Sequence, residues 1–456
     1  MTTYTFDAER PTQLRGGFGL FKGAAAQVWL ANPYANNGLS YTDYVFTNGL
    51  PTDVFSPVPS EQINLFTPGA GATQSVDFID SDVVQPSVWK SNLAFDTELP
   101  WWGIVASTEL VLTSVKDGIY YEQLNLGNAT RTGQDGRAMF WNAQGYNPAS
   151  WNSLGAACLA ETGVQAGVSC RSSSTDARVG RVRTFNDAII AKRTGKGESQ
   201  QLTLSLNKPF NESDWSWAAS YTYTNANEVS PLTSSTSSSN LGNVSLFQAN
   251  EEVSATSSYE IKDRFLATAS WKHAFFGDNN TIVSLVYEGR SGRPYSYTFD
   301  NDANGDGRIN DLLYIPTGPG DVLFGSAAEE AAFWEFFNSN EYLNSHRGQV
   351  AERNAARGEW VNQFDLHVSQ EFPGFMEGHK AEIVLDVLNV GNLLNKDWGR
   401  DEEMAFPAMR GVVEYGGVDP ATGKYVYRFN TPDNLTIYDD KGISRWAAQV
   451  SVRYKF

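Results

Sequence analysis

The carboxy-terminal stretch Ser444–Phe456 alternates between apolar and polar side chains. The apolar row consists of Trp446, Ala448, Val450, Val452, Tyr454 and Phe456, and the opposite row consists of Arg445, Ala447, Gln449, Ser451, Arg453 and Lys455. Because successive side chains of a β-strand point to opposite faces, the pattern predicts a strand with one apolar face and one polar face. Such a strand suits a membrane barrel, in which the apolar row faces lipid, aromatic residues lie at the two interfaces and the polar row faces a watery lumen.

The same alternation recurs along the chain and predicts about ten strands. The segments are Leu14–Phe21, Trp89–Phe95, Ile104–Tyr121, Val182–Asn207, Trp215–Tyr223, Arg264–Phe275, Thr281–Tyr287, Phe364–Phe372, Ala381–Val387 and Ser444–Phe456. We interpret Val182–Asn207 as one long strand with a bulge or kink at its glycines, because a hairpin at Thr194–Gly197 would break the alternation of strand direction. The predicted fold is therefore all-β, a transmembrane antiparallel β-barrel with meander topology.

Short turns and long loops alternate between these segments. A short turn rich in Pro and Gly lies at Pro100–Gly103. The long aperiodic connections are the region after Phe21 as far as about Asp80, then Asn125–Gly180, then Glu288–Trp360. In outer-membrane barrels the short turns are periplasmic and the long loops extracellular, which we expect here. Residues 233–240, which are rich in Ser, are expected to be flexible, whereas Ser326–Asn338 has an N-cap Ser and helical spacing and is expected to form a short helix.

Composition narrows the possible classes of protein. The chain has 456 residues without a break in composition, so a single barrel-type domain is predicted over residues 1–456. No apolar run reaches the roughly 18 residues that a membrane-spanning helix requires. The net charge of -18 argues against a nucleic-acid partner, which requires a basic surface. Cys158 and Cys170 lie in one Gly/Ser-rich segment, and both a local disulfide and two free thiols are open.

Several segments together resemble the Oar-like TonB-dependent outer-membrane receptors, and the resemblance runs over most of the chain. The segments are L-R-G-G-F-G-L-F-K-G, L-P-W-W-G, L-N-K-P-F, N-D-A-N-G-D-G-R-I-N-D-L, L-D-V-L-N-V-G-N-L-L-N-K-D-W-G and the final R-Y-K-F. Leu388–Lys396 is the more general mark of TonB-dependent barrels. The resemblance implies location in the bacterial outer membrane and energy-dependent uptake of a ligand, with no enzymatic chemistry performed on it.

The resemblance also implies a barrel of about 22 strands, plugged by an amino-terminal domain and driven by the inner-membrane TonB complex. The sequence shows no signal peptide, plug or TonB-contacting box, so we expect a partial barrel, the carboxy-terminal portion of such a receptor. TonB would then be reached only through an amino-terminal part outside this sequence. The other expected partners are outer-membrane lipid and the barrel-assembly machinery, for which the terminal Phe456 is part of the signal.

The motif D-N-D-A-N-G-D-G-R-I-N-D, at Asp300–Asp311, is the sharpest candidate site. Carboxylate and amide oxygens at alternate positions around a Gly turn are suited to Ca²⁺. The candidate ligands are Asp302, Asn304, Asp306, the Arg308 carbonyl, Asn310 and Asp311. Leu313 stands where a bidentate acid is expected, so a solvated acidic loop shaped by Asx turns is the alternative. Bound Ca²⁺ would rigidify an external loop, and no other cofactor is expected.

No catalytic constellation is evident in the sequence. The four histidines lack metal-ligand spacing and are interpreted as ordinary surface residues: His273, His346, His367 and His379. Two other classes of protein stay open. One is an outer-membrane surface-interaction or adhesion protein with calcium-stabilised loops. The other is a secreted, soluble β-rich enzyme or lectin, against which the apolar rows around Trp217 and Trp446 argue.

Overall fold

The computed structural model describes residues 2–38, 56–61, 75–151, 158–160, 163–165, 185, 187–211, 213–429, 432, 434–437 and 443–456. Within these residues the chain forms 25 strands, β1 to β25 in chain order. They are β1 (Thr2–Thr5), β2 (Thr12–Lys22), β3 (Val76–Ile79), β4 (Ser87–Glu98), β5 (Val105–Gln123), β6 (Arg131–Thr132), β7 (Ala138–Met139), β8 (Cys158–Ala160), β9 (Gly163–Gln165), β10 (Ala188–Thr194), β11 (Gly197–Lys208), β12 (Trp215–Glu228), β13 (Ala255–Thr256), β14 (Asp263–Phe276), β15 (Asn279–Arg290), β16 (Pro294–Phe299), β17 (Leu323–Phe324), β18 (Ala356–Arg357), β19 (Val361–Pro373), β20 (Lys380–Leu388), β21 (Glu402–Glu403), β22 (Met409–Val418), β23 (Tyr425–Phe429), β24 (Thr436–Ile437) and β25 (Ala447–Lys455).

The helices of the described residues are short. They are Gln27–Ala35, Ala143–Tyr146, Ser237–Gly242, Ala327–Ser339, Glu341–Ser345 and Val390–Leu394, with a 3₁₀ turn at Pro148–Ser150. Within the described ranges, none of them has the length and apolar character needed to cross a membrane.

A single large antiparallel sheet dominates the molecule. Its continuous path is β1-β2-β4-β5-β11-β12-β14-β15-β19-β20-β25, so neighbours in the sheet follow one another in sequence, as in a meander. Short turns and long loops alternate along this path, as the sequence predicts. The predicted segments correspond to the strands from β2 to β25 on the path, and the short β1 is added at one edge.

The pairing registers divide the side chains of the sheet into two rows. Leu285 pairs with Ala269 on one side and Leu366 on the other, which places three apolar residues side by side. The adjacent position, Ser284, pairs with Ser270 and His367. The same division runs to the last strand, where Val450 pairs with Leu385 and Ser451 with Val384. One face of the sheet is thus largely apolar and solvent-exposed, as a lipid-facing surface requires, and the other is mostly polar.

The long strand predicted at Val182–Asn207 is described from Ala188 onward and consists of β10 and β11. Both pair with β5 in one unbroken register, in which Thr194 lies opposite Gly118 and Glu198 opposite Ser114. The chain therefore continues through Gly195–Gly197 without a hairpin, and Gly197 has a φ of 131° that only glycine readily adopts. The predicted single strand is confirmed over its described part, and of the two irregularities expected at its glycines the bulge is not present, because the register with β5 is the same on both sides.

The ends of the sheet path remain apart among the described residues. β1 and β25 are its two edges and are not paired with each other there. β25 pairs only with β20, through registers that run from Leu388↔Ala447 to Lys380↔Lys455. An open sheet edge in hydrocarbon leaves backbone N–H and C=O groups without partners, which is costly in free energy.

The long loops contain most of the structure that the sequence did not predict. A second sheet, with the strand order β17-β23-β22-β16-β18, is built from two of them. The helix Ala327–Ser339 is confirmed, and the Ser326 hydroxyl caps it by accepting a hydrogen bond from the Glu329 amide at 3.2 Å. The expectation of a flexible segment is wrong at Ser237–Gly242, which is helical. The aperiodic region after Phe21 contains the helix Gln27–Ala35, which the sequence pattern could not indicate because this helix is not amphipathic.

Of the two cysteines, one lies within the described residues. Cys158 lies in the short strand β8, and Cys170 lies outside the described residues. Both the disulfide and the free thiols therefore stay open.

Candidate functional site

Three long loops combine into one folded unit at the end of the sheet where the long loops emerge. We call this unit the loop assembly and define it by residues 125–151, 291–357 and 402–429. Its core is rich in aromatic side chains, and among the described residues Phe333, Phe337, Tyr415 and Tyr427 are completely buried. The Tyr427 hydroxyl donates a hydrogen bond to the Tyr314 carbonyl at 2.6 Å. Buried tyrosine hydroxyls normally have a hydrogen-bond partner, and this bond joins two of the three segments of the loop assembly.

A buried ion pair connects two of these loops. The Arg137 guanidinium is fully buried and lies 3.1 Å from Asp135 and 2.7 Å from Asp311. It also donates a hydrogen bond to the Leu312 carbonyl. Removal from water raises the pKa of Asp311 to about 7, against the opposing effect of the Arg137 guanidinium. Removing one partner of such a buried group is expected to be far more damaging than removing a surface pair.

The candidate calcium ligands lie close together in this assembly, and their side-chain oxygens shape the loop. Asp302 accepts hydrogen bonds from the amides of Gly305 at 2.6 Å and Gly307 at 2.7 Å. Asn304 accepts one from the Asp306 amide at 2.7 Å, and Asp306 accepts one from the Arg308 amide at 2.8 Å. These are Asx turns, which the alternative interpretation of the motif also predicts. The solvated loop that this interpretation expects is wrong, because Asp302, Asn304 and Asp306 are buried.

Two further predicted ligands have partners elsewhere in the fold. Asp311 directs one carboxylate oxygen to Arg137 and the other to the Ala303 amide, at 2.8 Å. The Asn310 side-chain amide donates to the Val244 carbonyl at 2.7 Å. Across the described part of the chain, no group of three or more His, Cys, Asp or Glu side chains is arranged to hold a metal ion. The predicted site also uses Asn side chains and a backbone carbonyl, which are not part of a group of this kind. Ca²⁺ binding therefore stays a prediction.

A cavity of about 380 Å³ lies where three loops meet, and we call it the loop pocket. Its wall is mainly apolar and contains Tyr259, Pro294, Met404, Ala405, Phe406, Pro407 and Ala408, with Thr233, Asn243, Ser258 and Thr436 as polar neighbours. Among the described lining residues, Arg293 and Glu403 are the charged ones, and they form an ion pair at 3.2 Å. Burial raises the pKa of Glu403, while the Arg293 guanidinium opposes that shift. Such a pocket suits a ligand with an apolar body and few polar groups.

On the polar face of the sheet, side chains of neighbouring strands pair with one another. His367 and Asp386 lie opposite each other on this face and are hydrogen-bonded at 2.6 Å. Arg264 pairs with Glu288 at 2.7 Å. On the same face, hydroxyl groups also bond to one another, with Ser270 and Ser284 at 2.7 Å. This face can line an aqueous path, because its groups already have partners and remain partly exposed.

Phe456 and two of the histidines lie outside the strands of the sheet. Phe456 follows β25 and is 96% exposed, so it is available to a partner. His379 lies in the turn before β20 and hydrogen-bonds the Tyr454 hydroxyl at 3.0 Å. His346 stacks on Tyr342 in the loop assembly. No metal-ligating arrangement involves them among the described residues.

The continuous meander with one lipid-compatible face defines the class of protein as an integral β-barrel of the outer membrane. In agreement, the family model described as "Outer membrane beta barrel domain" matches residues 3–397, and the chain belongs to this family. Among solved structures, the chain is similar to the outer membrane transporter YddB from Escherichia coli, with 11% sequence identity and a TM-score of 0.42. That match covers 97% of this chain and spans 38% of the transporter. No curated protein matches the sequence.

Proposed function

We propose that this barrel is part of an energy-dependent receptor that takes up a ligand across the outer membrane, as the Oar-like resemblance implies. Two observations together support the proposal: the loops that continue from the sheet enclose the loop pocket, and one face of that sheet is polar. The pocket combines an apolar wall with one ion pair, and the sheet below offers hydrogen-bonding groups along its length. A ligand bound by the loops would meet this polar path next.

Dependence on TonB is part of the same proposal. The polar face includes charged pairs such as Arg15 with Asp96 at 2.8 Å and Arg264 with Glu288 at 2.7 Å. A plug could contact such a surface through water and hydrogen bonds without a large apolar interface. In the family that the sequence resembles, the plug and the TonB contact are amino-terminal to the barrel, and the ligand passes without chemical change.

We also propose that Ca²⁺ binds the loop around Asp302, Asn304 and Asp306. The loop is folded into Asx turns that already bring these side chains together, and the Arg308 carbonyl follows them. Six or more oxygens are needed, so carbonyls or water would complete the shell. The ion would stabilise the loop assembly and would take no part in chemistry.

An adhesion or surface-interaction role is the second candidate, and one observation favours it. The largest buried apolar cluster of the described residues lies in the loop assembly and not in the membrane sheet. A large, preformed external surface is what binding to another cell or matrix would need. In that case the protein would bind outside without transporting.

The test compares a deletion strain with the same strain carrying the protein, both grown in a medium that contains a complex extract of natural compounds. Mass spectrometry of the medium identifies compounds that only the complemented cells remove. Uptake predicts such removal, its loss with a protonophore, and its reduction by Ala405→Trp, which places a large ring in the loop pocket. Ala331→Trp, on the exposed side of the helix Ala327–Ser339, is the control. Removal that persists with the protonophore, or no removal at all, would contradict the proposal.

A further inference from the structure

The loop pocket combines rings that reach solvent with a wall that does not. Two of its lining rings, Tyr259 and Phe406, are 63% and 69% exposed, whereas the lining residue Met404 is buried. The residues from Met404 to Ala408 line the pocket without interruption and contribute mainly apolar surface. A ligand can therefore reach the pocket from the aqueous side and place an apolar group against this wall.

The neutral polar groups of the loop pocket are already engaged within the protein. Each hydroxyl of the lining takes part in a hydrogen bond to another protein group, at distances of 3.2 to 3.4 Å: Thr233, Ser258, Tyr259 and Thr436. The side-chain amide of Asn243 is the donor to Thr233. A ligand with many hydroxyl groups, such as an oligosaccharide, loses water on binding and needs several uncommitted partners in return. This lining therefore does not favour such a ligand.

Arg293 is the lining residue that keeps hydrogen-bond donors for a ligand. Its Nε lies 3.2 Å from a Glu403 carboxylate oxygen, and within the described part of the chain Glu403 is its one ionic partner. A guanidinium has five N–H groups, so those on the two Nη atoms remain for another acceptor. The Arg293 side chain is 58% exposed and that of Glu403 only 14%, so the positive member of this pair is the accessible one.

The backbone that carries Arg293 is held in place on both sides. The Arg293 carbonyl accepts a hydrogen bond from the Gly358 amide at 3.0 Å. The next residue, Pro294, begins β16 and pairs with Arg357. On the other side, a Cβ atom at Gly292 would lie 2.4 Å from backbone atoms of Gly358, so the two chain segments approach each other as closely as glycine allows. The guanidinium thus extends from a fixed position, which reduces the entropy lost when it binds a ligand.

We propose that the loop pocket binds a ligand with an apolar body and one carboxylate, which the Nη atoms of Arg293 hold while the wall from Met404 to Ala408 contacts the body. This inference rests on the proposed uptake function, because it names the chemical class of the ligand that is taken up. The planar fork of a guanidinium matches a carboxylate through two parallel hydrogen bonds. Glu403 remains on Nε, and its charge disfavours a doubly charged group such as a phosphate.

The experiment measures binding of two probes of the same shape to the intact protein, purified from the outer membrane in mild detergent, by ligand-observed NMR titration. The probes are N-acetylphenylalanine, which carries a carboxylate, and its neutral amide. The acid should bind about tenfold more tightly than the amide. Arg293→Gln should remove this preference and leave the binding of the amide unchanged, and Arg293→Lys, which keeps the charge, should retain part of it. Arg10→Gln, at an exposed position between β1 and β2, is the matched control.

Glu403→Gln tests the sign of the charge that the site recognises, and it does so even if Arg293→Gln does not assemble. It removes a negative charge beside the guanidinium, so the acid should bind more tightly to this variant. Weaker binding of the acid to Glu403→Gln overturns the inference, as does tighter binding of the cationic phenylalanine amide than of the acid. Tighter binding of phenyl phosphate than of the acid also overturns it.

Two further results would overturn the inference: binding of the acid no tighter than that of its amide, or no binding of the acid at millimolar concentration. The uptake test described above separates this inference from the proposed function. If the complemented cells remove compounds of which none carries a carboxylate, uptake holds and the inference fails. If the purified protein prefers the acid and the cells remove nothing, the site is supported and the uptake proposal fails.

Discussion

Placing a charge on each face of one strand tests the assignment of the two faces. Leu285 lies near the middle of β15, is 42% exposed, and has Ala269 and Leu366 as its cross-strand partners. An arginine there would meet only apolar neighbours and acyl chains. At the bilayer midplane this costs about 2 to 4 kcal/mol, which is about a 30-fold to 700-fold change in the folding equilibrium.

The adjacent position should respond differently. Ser284 lies between Ser270 and His367, and Asp386 is hydrogen-bonded to that histidine. Ser284→Arg would enter this polar surface, where water and a carboxylate are near, so its cost should stay at about 1 kcal/mol or less. Leu285→Ala is the control that separates the loss of the leucine from the gain of a charge.

The assay is equilibrium unfolding by denaturant of the protein refolded into lipid vesicles, followed by tryptophan fluorescence. Leu285→Arg should lower the free energy of unfolding by the stated amount relative to Leu285→Ala. Equal effects of arginine at positions 284 and 285 would refute the assignment of the lipid-facing and polar rows. A larger effect at Ser284 would mean that the two rows are reversed.

Three further predictions concern the loops and the last strand. Arg137→Leu leaves Asp135 and Asp311 buried without their cation and should destabilise the loop assembly by about 3 to 5 kcal/mol, which limited proteolysis would detect as faster cleavage of the loops. Arg264→Leu, the control, removes a partly exposed pair and should cost about 1 kcal/mol or less, so equal rates of cleavage in the two variants would contradict this prediction. Millimolar Ca²⁺ should slow proteolysis of residues 291–357 in the wild type but not in Asp302→Ala, and the calcium prediction fails if chelation has no effect on the wild type. Phe456→Ala should lower the fraction of protein assembled in the outer membrane, with Phe375→Ala, an equally exposed turn residue, as the control; unchanged assembly would exclude a role in the signal.

The membrane sheet could be predicted from the sequence because its signal is local. Each strand is recognisable from its own alternation, as at Trp215–Tyr223, and the positions of Pro100–Gly103 and other turns fix the direction of the next strand. β10 and β11 were predicted in the same way. Their glycines suggest a hairpin between two strands, but strands that alternate in direction require a single strand here, and the unbroken register with β5 confirms it. The β1 edge was missed because four residues, Thr2–Thr5, are too few to show a period.

The loop assembly and its pocket could not be predicted, because their contacts join distant parts of the chain. Tyr415 packs against Trp141 and Trp151, and nothing in either local sequence indicates the other. No sequence motif surrounds Arg137, and its role depends on an ion pair with Asp311 from another loop. The calcium motif was visible because its residues are contiguous, but the sequence could not show that Asp311 is directed to Arg137.

The central claim is that the chain crosses the outer membrane with its long loops outside, where they can bind a ligand. Labelling of single cysteines in intact cells with a bulky, membrane-impermeant maleimide tests it most directly, after Cys158 and Cys170 have been changed to Ser. Ala331→Cys, on the loop assembly, should be labelled in intact cells, and Asp278→Cys, in the short turn between β14 and β15, should be labelled only after the outer membrane is permeabilised. Labelling of Asp278→Cys in intact cells, or protection of Ala331→Cys, would contradict the account.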